Sequence, residues 1–221
     1  MRTAIALTVS LLAATAAFAA DDVTHKFESS TPRGNVQRIV IDIPAGKITV
    51  RNSAAPQLRL VGVASRDYDG ASEKAWAQKV VNDTSVAFYV NGPEAIVRRK
   101  FGPNADSWRA QRFTGIDVIV EVPAGVDVKF ETSFGEVELN GTFGDIDLDL
   151  RAGEVTLTTP RAGVRELNAS VRIGEVHTHI GGEVVSREGL FPGKTNYFNS
   201  AGKTHIDVHV TTGEVSVTLT P

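Results

Sequence analysis

The sequence predicts an all-β fold: an irregular β-solenoid or β-helix with two strands per coil of about 20 residues, plus one short helix in an insertion. Glycines recur on a steady rhythm down the second half of the chain, and most are followed by an acid and then an aliphatic residue. Apolar and polar residues alternate after them, which is the period of a strand with one buried face. The clearest repeats are Gly135-Glu136-Val137, Gly144-Asp145-Ile146, Gly153-Glu154-Val155, Gly174-Glu175-Val176, Gly182-Glu183-Val184 and Gly213-Glu214-Val215.

The recurring glycines separate into two registers, each with an interval of about 20 residues, as stacked coils require. Glycine suits such corners because it accepts positive φ and close backbone approach. We expect the residues two and four places after each glycine to face the core. Arg165 breaks this pattern, so we expect a bulge or a loop near Gly163. The registers are Gly135, Gly153, Gly174, Gly193 and Gly213, and Gly144, Gly163, Gly182 and Gly202.

Residues 1–19 are typical of a cleaved export leader. Arg2 gives a positive start, residues 4–14 are apolar, and Ala17-Phe18-Ala19 is a small-x-small cleavage site. The apolar run is shorter than the roughly 20 residues that a spanning helix needs. We therefore expect cleavage after Ala19 and a periplasmic or secreted mature protein. The alternative is an uncleaved N-terminal anchor.

The composition excludes several classes of protein. The chain has 23 basic and 26 acidic residues and a net charge of −3, without the basic stripe of a nucleic-acid binder. It has no cysteine, which excludes disulfides, thiolate nucleophiles and zinc–thiolate sites. No apolar segment after the leader is long enough to span a membrane as a helix. The sequence contains no cofactor motif and no familiar motif of an enzyme nucleophile.

After the leader, residues 20–221 are expected to form a single solenoid domain that is interrupted by an insertion over residues 66–114. The strand patterns at residues 38–46 and 117–125 resemble each other, and both end at Pro-Ala-Gly. Proline cannot continue a strand ladder and glycine permits a turn, so each pattern stops there. We interpret the two as equivalent units on either side of the insertion.

The insertion predicts a helix, a strand and then an irregular stretch. Ser72 caps the helix, Asn82-Asp83 ends it, and residues 85–90 alternate as a strand. The rest has no clean period, so we expect a mobile loop or a flap over the end of the solenoid. Its charges and rings suit an anionic envelope polymer, although Phe101 and Trp108 would also serve as packing residues. The candidate binding residues are Arg98, Arg99, Lys100, Phe101, Trp108 and Arg109.

Three glutamates follow corner glycines in one register. We expect Glu136, Glu154 and Glu175 on successive coils, about 4.8 Å apart. Like charges at that spacing repel and need a counter-charge. Arg151 and Arg172 are candidates for it, and a bound calcium ion is the alternative.

A second set of acids alternates with aliphatic residues on one strand. The set is Asp145, Asp147 and Asp149. An acid at every outward position keeps a strand soluble and prevents sideways association. The same carboxylates would serve a polysaccharide-active enzyme.

Histidines form two pairs near the end of the chain. His177 and His179 share one face of a strand, as a metal site requires, but no third ligand is evident. His205 and His209 belong to the other glycine register, so we expect them on the opposite sheet. A two-histidine metal site at His177 and His179 is therefore the candidate, and exposed strand histidines are the alternative.

The leader, the early strands ending at Pro-Ala-Gly, the helical excursion and the Gly-acid-aliphatic strands ending in Thr212-Gly213-Glu214-Val215 carry a family resemblance. Over residues 37–220 the chain resembles the putative adhesin family of bacterial envelope proteins, also known as domain of unknown function 4097. The resemblance implies a β-solenoid at the cell surface or in the periplasm. It supplies no catalytic residues.

The sequence therefore predicts a non-catalytic binding or structural module of the envelope, with another envelope protein or a glycan as partner and no cofactor. The alternative is a polysaccharide-active β-helix enzyme that uses surface carboxylates. A further expectation is self-association through the last strand, residues 213–219, because an open solenoid leaves its edge unpaired.

Overall fold

Strands dominate the structure, a computed structural model that describes residues 22–181, 183–187 and 193–221. Thirteen strands in this part form one mixed sheet, with helices α1 (Ala71–Asn82) and α2 (Trp108–Arg112) and a 3-10 turn at Arg161–Gly163. The predicted leader and Gly182 lie outside the described residues. The strands are β1 Asp22–Pro32, β2 Arg38–Asp42, β3 Ala45–Asn52, β4 Gln57–Asp67, β5 Thr84–Asn91, β6 Glu94–Phe101, β7 Gly115–Val122, β8 Asp127–Asn140, β9 Ile146–Pro160, β10 Val164–Ile180, β11 Glu183–Arg187, β12 Gly193–Phe198 and β13 Thr204–Thr220.

The longest strands, β8, β9, β10 and β13, each bend at a glycine near the middle. In β8, alternate residues are buried up to Thr132, and the alternation changes phase around Gly135. The same change occurs at Gly153, Gly174 and Gly213 in the other three strands. We call the segments before these glycines the first arm of the sheet and the segments after them the second arm.

Both arms turn their apolar residues toward one continuous core. On β9, Leu148 of the first arm and Leu157 of the second arm are both almost fully buried. Strands β2, β6, β5 and β12 extend the first arm, and β3, β7, β4, β1 and β11 extend the second. The predicted inward positions are thus confirmed for the described long strands, because period-two alternation buries one face of each arm.

The strands do not stack in chain order. Parallel neighbours run β8, β9, β13, β10, so the last strand lies between the two that precede it in this part of the sheet. Strands β1, β4, β5, β11 and β12 pair antiparallel, which makes the sheet mixed. The fold class is therefore predominantly β with an open mixed sheet, and the regular two-strand coil is not confirmed. Both edges of β13 are paired, so it offers no free edge for the predicted self-association.

The two Pro-Ala-Gly segments are not equivalent, contrary to the prediction. After Gly46 the chain passes the corner and continues as β3, which pairs with β7 and β8. Gly125, with φ +77°, instead lies in the turn that leads from β7 into β8. The preceding strands also differ, since β2 belongs to the first arm and β7 to the second.

The start of helix α1 and the structure of residues 94–101 differ from the prediction, whereas the bulge near Gly163 agrees with it. Helix α1 begins after Gly70, which has φ +78°, and no side chain caps it, so Ser72 lies inside the helix. Residues 94–101 form strand β6, paired with β2 and β5, where an irregular loop was expected. The bulge expected near Gly163 is confirmed, because the β10–β13 register shifts between Val164 and Glu166.

Candidate functional site

Five glycines stand in register at the corner of the sheet, and we call them the glycine column. Pairing places Gly46 beside Gly135, followed by Gly153, Gly213 and Gly174. Their φ values lie between +130° and +146°, where residues with a side chain rarely occur. A Cβ on Gly153 would come within 1.8 Å of the Gly135 carbonyl oxygen. The column is therefore required by the corner, and it sets the register of every residue after it.

A row of glutamates follows the glycine column, and we call it the glutamate row. It runs Glu136, Glu154, Glu214, Glu175, with neighbours on adjacent strands about 4.8 Å apart. The expected order is corrected here: β13 intervenes, so Glu214 separates Glu154 from Glu175. Lys47 ends the row, and its Nζ donates to Glu136 Oε1 at 2.6 Å. This hydrogen bond raises the pKa of Lys47.

The counter-charges of the glutamate row also differ from the prediction. In the described chain, neither Arg151 nor Arg172 forms an ion pair with the row. At the end opposite Lys47, His177 Nε2 lies 3.2 Å from Glu175 Oε2 and 3.5 Å from Glu214 Oε1. The centre of the row is left without a described cation.

Replacing the central acid should stabilise the protein. Glu154→Gln removes a charge that has a glutamate on each side, so we expect the free energy of unfolding to rise by roughly 0.5 kcal/mol at low ionic strength. The gain should shrink in about 1 M salt, where screening is complete within a few ångströms. Urea titration at the two salt concentrations measures it. Glu136→Gln is the matched control, because it also breaks the Lys47 ion pair; an equal gain there would contradict the repulsion argument.

The histidine pairs lie on different arms, as their glycine registers predicted. His177 and His179 face outward from the second arm of β10, and His205 and His209 face outward from the first arm of β13. His209 Nδ1 lies 3.0 Å from Ser170 Oγ. Among the residues described, no group of three or more histidine or acidic side chains is placed to hold a metal ion. The metal site at His177 and His179 stays a prediction.

The aspartates near β9 lie where this strand contacts β13. Asp147 and Asp149 face outward, whereas Asp145 precedes the strand, and its carboxylate accepts the His205 backbone N–H at 2.8 Å. Asp147 lies beside Asp207 of β13. Nothing in this geometry supports the alternative of a polysaccharide-active enzyme.

Residues 108–114 are held against the sheet by two arginines. Arg66, at the end of β4, donates from Nη1 to the Ala110 carbonyl at 2.9 Å and to Thr114 Oγ1 at 3.2 Å. Arg99, on β6, donates from Nη2 to the Thr114 carbonyl at 2.9 Å. These donors serve the end of α2, where backbone carbonyls lack helical partners.

Neither anchoring arginine has a carboxylate partner in the described chain. Arg66 is only 5% exposed, and burial, followed by repulsion from Arg109, lowers its pKa. Burial lowers the pKa of Arg99 to about 10. The Nε atoms of Arg66 and Arg99 are buried and have no acceptor among the described residues. The base of α2 therefore holds two guanidinium groups without a short ion pair among the described residues, although Glu73 and Asp67 act on Arg66 from a greater distance.

Six side chains on and beside the two helices alternate between arginine and aromatic residues, and we call them the arginine–aromatic stack. The guanidinium-to-ring distances are 4.9, 5.3, 5.8, 4.4 and 5.0 Å along its length, all within the ~6 Å range of cation–π contacts. The order is Trp108, Arg112, Phe113, Arg66, Trp76 and Arg109.

The outer end of the stack is open to solvent. Trp108 is 70% exposed and Phe113 is 57% exposed, whereas the buried Arg66 lies within the stack, between Phe113 and Trp76. Arg112 lies between the two exposed rings and forms no ion pair with a described residue. Ser107 caps α2 by accepting the Ala110 N–H at 3.2 Å. Two rings and an unpaired guanidinium are thus presented in a fixed arrangement.

The six predicted binding residues do not form a single patch. Trp108 and Arg109 belong to the stack, and Arg99 lies against Phe101 at 4.4 Å. Arg98 instead pairs with an aspartate of β2 at 2.6 Å. Lys100 is exposed near the end of β6.

The sequence reasoning missed Arg66 and Trp76, which lie far from the basic-aromatic stretch in the chain. A signal for Arg66 was present. It occupies an inward position in the alternation of β4, where Leu58, Leu60 and Ala64 are buried. An arginine at such a position needs acceptors from another segment.

Comparison with known proteins gives only distant likenesses. No family model matches the chain, and no curated protein matches it in sequence. Among solved structures, a putative cell adhesion protein from Clostridium sporogenes aligns with 89% of this chain and 100% of its own, at 10% identity and a TM-score of 0.46. A putative adhesin from Bacteroides fragilis covers 87% and 97%, at 9% identity and 0.34. One from Parabacteroides merdae covers 73% and 62%, at 13% identity and 0.30.

In the described part of the chain, no helix has the length and apolar character needed to cross a bilayer.

Proposed function

We propose that this protein is a non-catalytic binding module of the cell envelope that docks an anionic polymer on the arginine–aromatic stack. The observation that carries the proposal is the exposed end of the stack, where Trp108 and Phe113 flank Arg112. Flat rings offer apolar contact to a sugar face, and a guanidinium held between them offers charge and donors in a fixed plane.

The rest of the chain supports display of this surface outside the cytoplasm. The leader pattern of residues 1–19 favours cleavage after Ala19 and a periplasmic or secreted protein. The bent strands and their shared core act as a solenoid-like frame within a single domain, residues 20–221. Arg66 and Arg99 then fix the base of α2 to that frame.

The proposal predicts saturable binding of polyanions by the mature chain. Both tryptophans of the protein belong to the stack, so intrinsic fluorescence reports on it directly. We expect alginate and polyphosphate to change the emission and dextran to leave it unchanged. Arg112→Gln should weaken polyanion binding about tenfold, because a desolvated cation–π and charge contact is worth roughly 1–2 kcal/mol.

An exposed aromatic residue elsewhere gives the matched control. Phe198 on β12 is 64% exposed and lies outside the stack. Phe198→Ala should bind polyanions as the parent does. Equal losses for Phe198→Ala and Arg112→Gln, or equal binding of dextran and alginate, would contradict the proposal.

A further inference from the structure

We infer that the cleft beside the arginine–aromatic stack binds one carboxylated sugar unit, with Arg66 compensated by its carboxylate and Asp67 and Asp69 accepting its hydroxyl groups. The inference rests on the proposed function, because it names the chemical class of ligand that the same surface would take. Its parts are a cavity, a buried guanidinium whose Nε has no acceptor among the described residues, and two carboxylates that accept no described hydrogen bond.

The cavity has the size of a single sugar. Its volume is about 350 Å³, and Arg66, Asp67, Tyr68, Asp69, Arg109 and Phe113 are among the residues that line it. That volume stands at the small end of the range for small-molecule sites. Tyr68 and Phe113 contribute ring surface, against which the apolar face of a pyranose can pack.

The buried guanidinium of Arg66 favours the binding of an anion in the cleft. It is almost fully buried, no described carboxylate pairs with it, and its Nε has no acceptor. A buried cation and an unpaired buried donor are both costly, and an incoming carboxylate relieves that cost. Trp76 and Phe113 lie 4.4 and 5.8 Å from the guanidinium, so its plane is already oriented for the fork-like pairing that arginine makes with carboxylates.

Arg109 does not duplicate this role, because it is already neutralised. Its Nη2 donates to Glu73 Oε1 at 2.9 Å, and Glu73 Oε2 also faces the Asp69 backbone N–H at 3.4 Å. The pair Arg109–Glu73 thus closes one side of the cleft with little net charge. Arg66 is the lining cation that forms no ion pair with a described residue, although Glu73 and Asp67 act on its charge from a greater distance.

The acids of the cleft select the kind of anion. Asp67 and Asp69 are exposed, and no described side chain donates to their carboxylates. Ionised carboxylates only accept hydrogen bonds, so they suit the hydroxyl donors of a sugar. They also repel a doubly charged phosphate or sulfate more than a singly charged carboxylate. A uronic acid combines one carboxylate with several hydroxyl groups.

The test is a titration of the whole mature chain with small probes, followed by tryptophan emission. We expect glucuronate to bind saturably and at least tenfold more tightly than glucose, inorganic phosphate or glycine. Binding of phosphate or glycine as tight as that of glucuronate, or no saturation by glucuronate, would overturn the inference.

Variants locate the site. Asp69→Asn should weaken glucuronate binding about tenfold, since a hydrogen bond to a charged group is lost. Asp106→Asn, at an exposed acid before α2 and outside the cleft, should have no effect. Arg66→Lys should also weaken glucuronate binding. If Arg66→Lys does not fold, the affinity of Asp69→Asn for glucuronate tests the inference instead. An unchanged affinity in Asp69→Asn would overturn the inference.

The two proposals fail separately. A protein that binds alginate and polyphosphate but not glucuronate retains the proposed function and overturns the sugar site. A protein that binds glucuronate but neither polymer retains the cleft and overturns polymer docking on the stack.

Discussion

A chain that ends at Lys203, and so lacks β13, should not fold cooperatively. Strand β13 pairs with β9 on one side and β10 on the other, so its removal opens the middle of the sheet. Six aliphatic side chains leave the core with it, and burial of each is worth about 1.5–3 kcal/mol, a sum comparable with the whole stability of a domain. The six are Ile206, Val208, Val210, Val215, Val217 and Leu219.

Urea unfolding followed by circular dichroism measures this effect. The matched truncation removes β1, residues 22–32, which pairs only with β4 among the described strands. We expect that variant to keep a cooperative transition at a lower midpoint. A cooperative transition in the chain that lacks β13 would show that β9 and β10 close the gap, contrary to the topology.

Substitution of the middle glycine of the column should be nearly as severe. Gly153→Ala places a Cβ 1.8 Å from the Gly135 carbonyl oxygen, on backbone with φ +143°. Backbone strain of that kind costs about 1–3 kcal/mol, and the overlap adds a further 1–3 kcal/mol because the neighbouring strand must move. We therefore expect a loss of roughly 2–6 kcal/mol in the free energy of unfolding.

The control for Gly153 is Gly163, which belongs to the other glycine register and lies outside the column. A Cβ on Gly163 meets no atom within 4 Å, and its φ is not in the positive range. Gly163→Ala should change the free energy of unfolding by no more than about 0.5 kcal/mol. Equal urea midpoints for the two variants would show that the column tolerates side chains.

The sequence was informative wherever one local pattern determined the structure. Val137, Val155 and Val215 follow corner glycines at the same distance, and all three are buried. The change of phase at each glycine is also local, since it needs only a residue that tolerates φ near +140°. The core faces of the long strands and the corners at Gly135, Gly153, Gly174 and Gly213 could therefore be predicted. The corner expected at Gly193 was wrong, because this glycine begins the antiparallel strand β12.

The order of the strands could not be predicted, because the repeats are interchangeable. Glu154 faces Glu214 in the structure, but the segment Gly174-Glu175-Val176 has the same pattern as Gly213-Glu214-Val215 and would fit there equally well. The local pattern determines which face of a strand is buried, but it does not determine which strands lie beside it. The order of the strands depends on the loops that connect them and on contacts at the strand ends, and neither follows a repeating sequence pattern.

Strand β6 was missed because an arginine occupies an inward position. The alternation of Ala95 and Val97 continues to Arg99, whose charge hides the pattern. In the structure Arg99 packs on Phe101 and donates a hydrogen bond to the Thr114 carbonyl. These contacts allow a charged residue to occupy an inward position of the strand. The arginine–aromatic stack was only partly predicted for the same reason, since it depends on contacts between segments far apart in the chain.

The place of β13 in the sheet has a consequence for the life of the polypeptide before it folds. The ribosome makes β13 after β9 and β10, so those two strands have no neighbour between them until β13 has emerged. The middle of the sheet is therefore completed late, after nearly all of the chain that the structure describes has been synthesised.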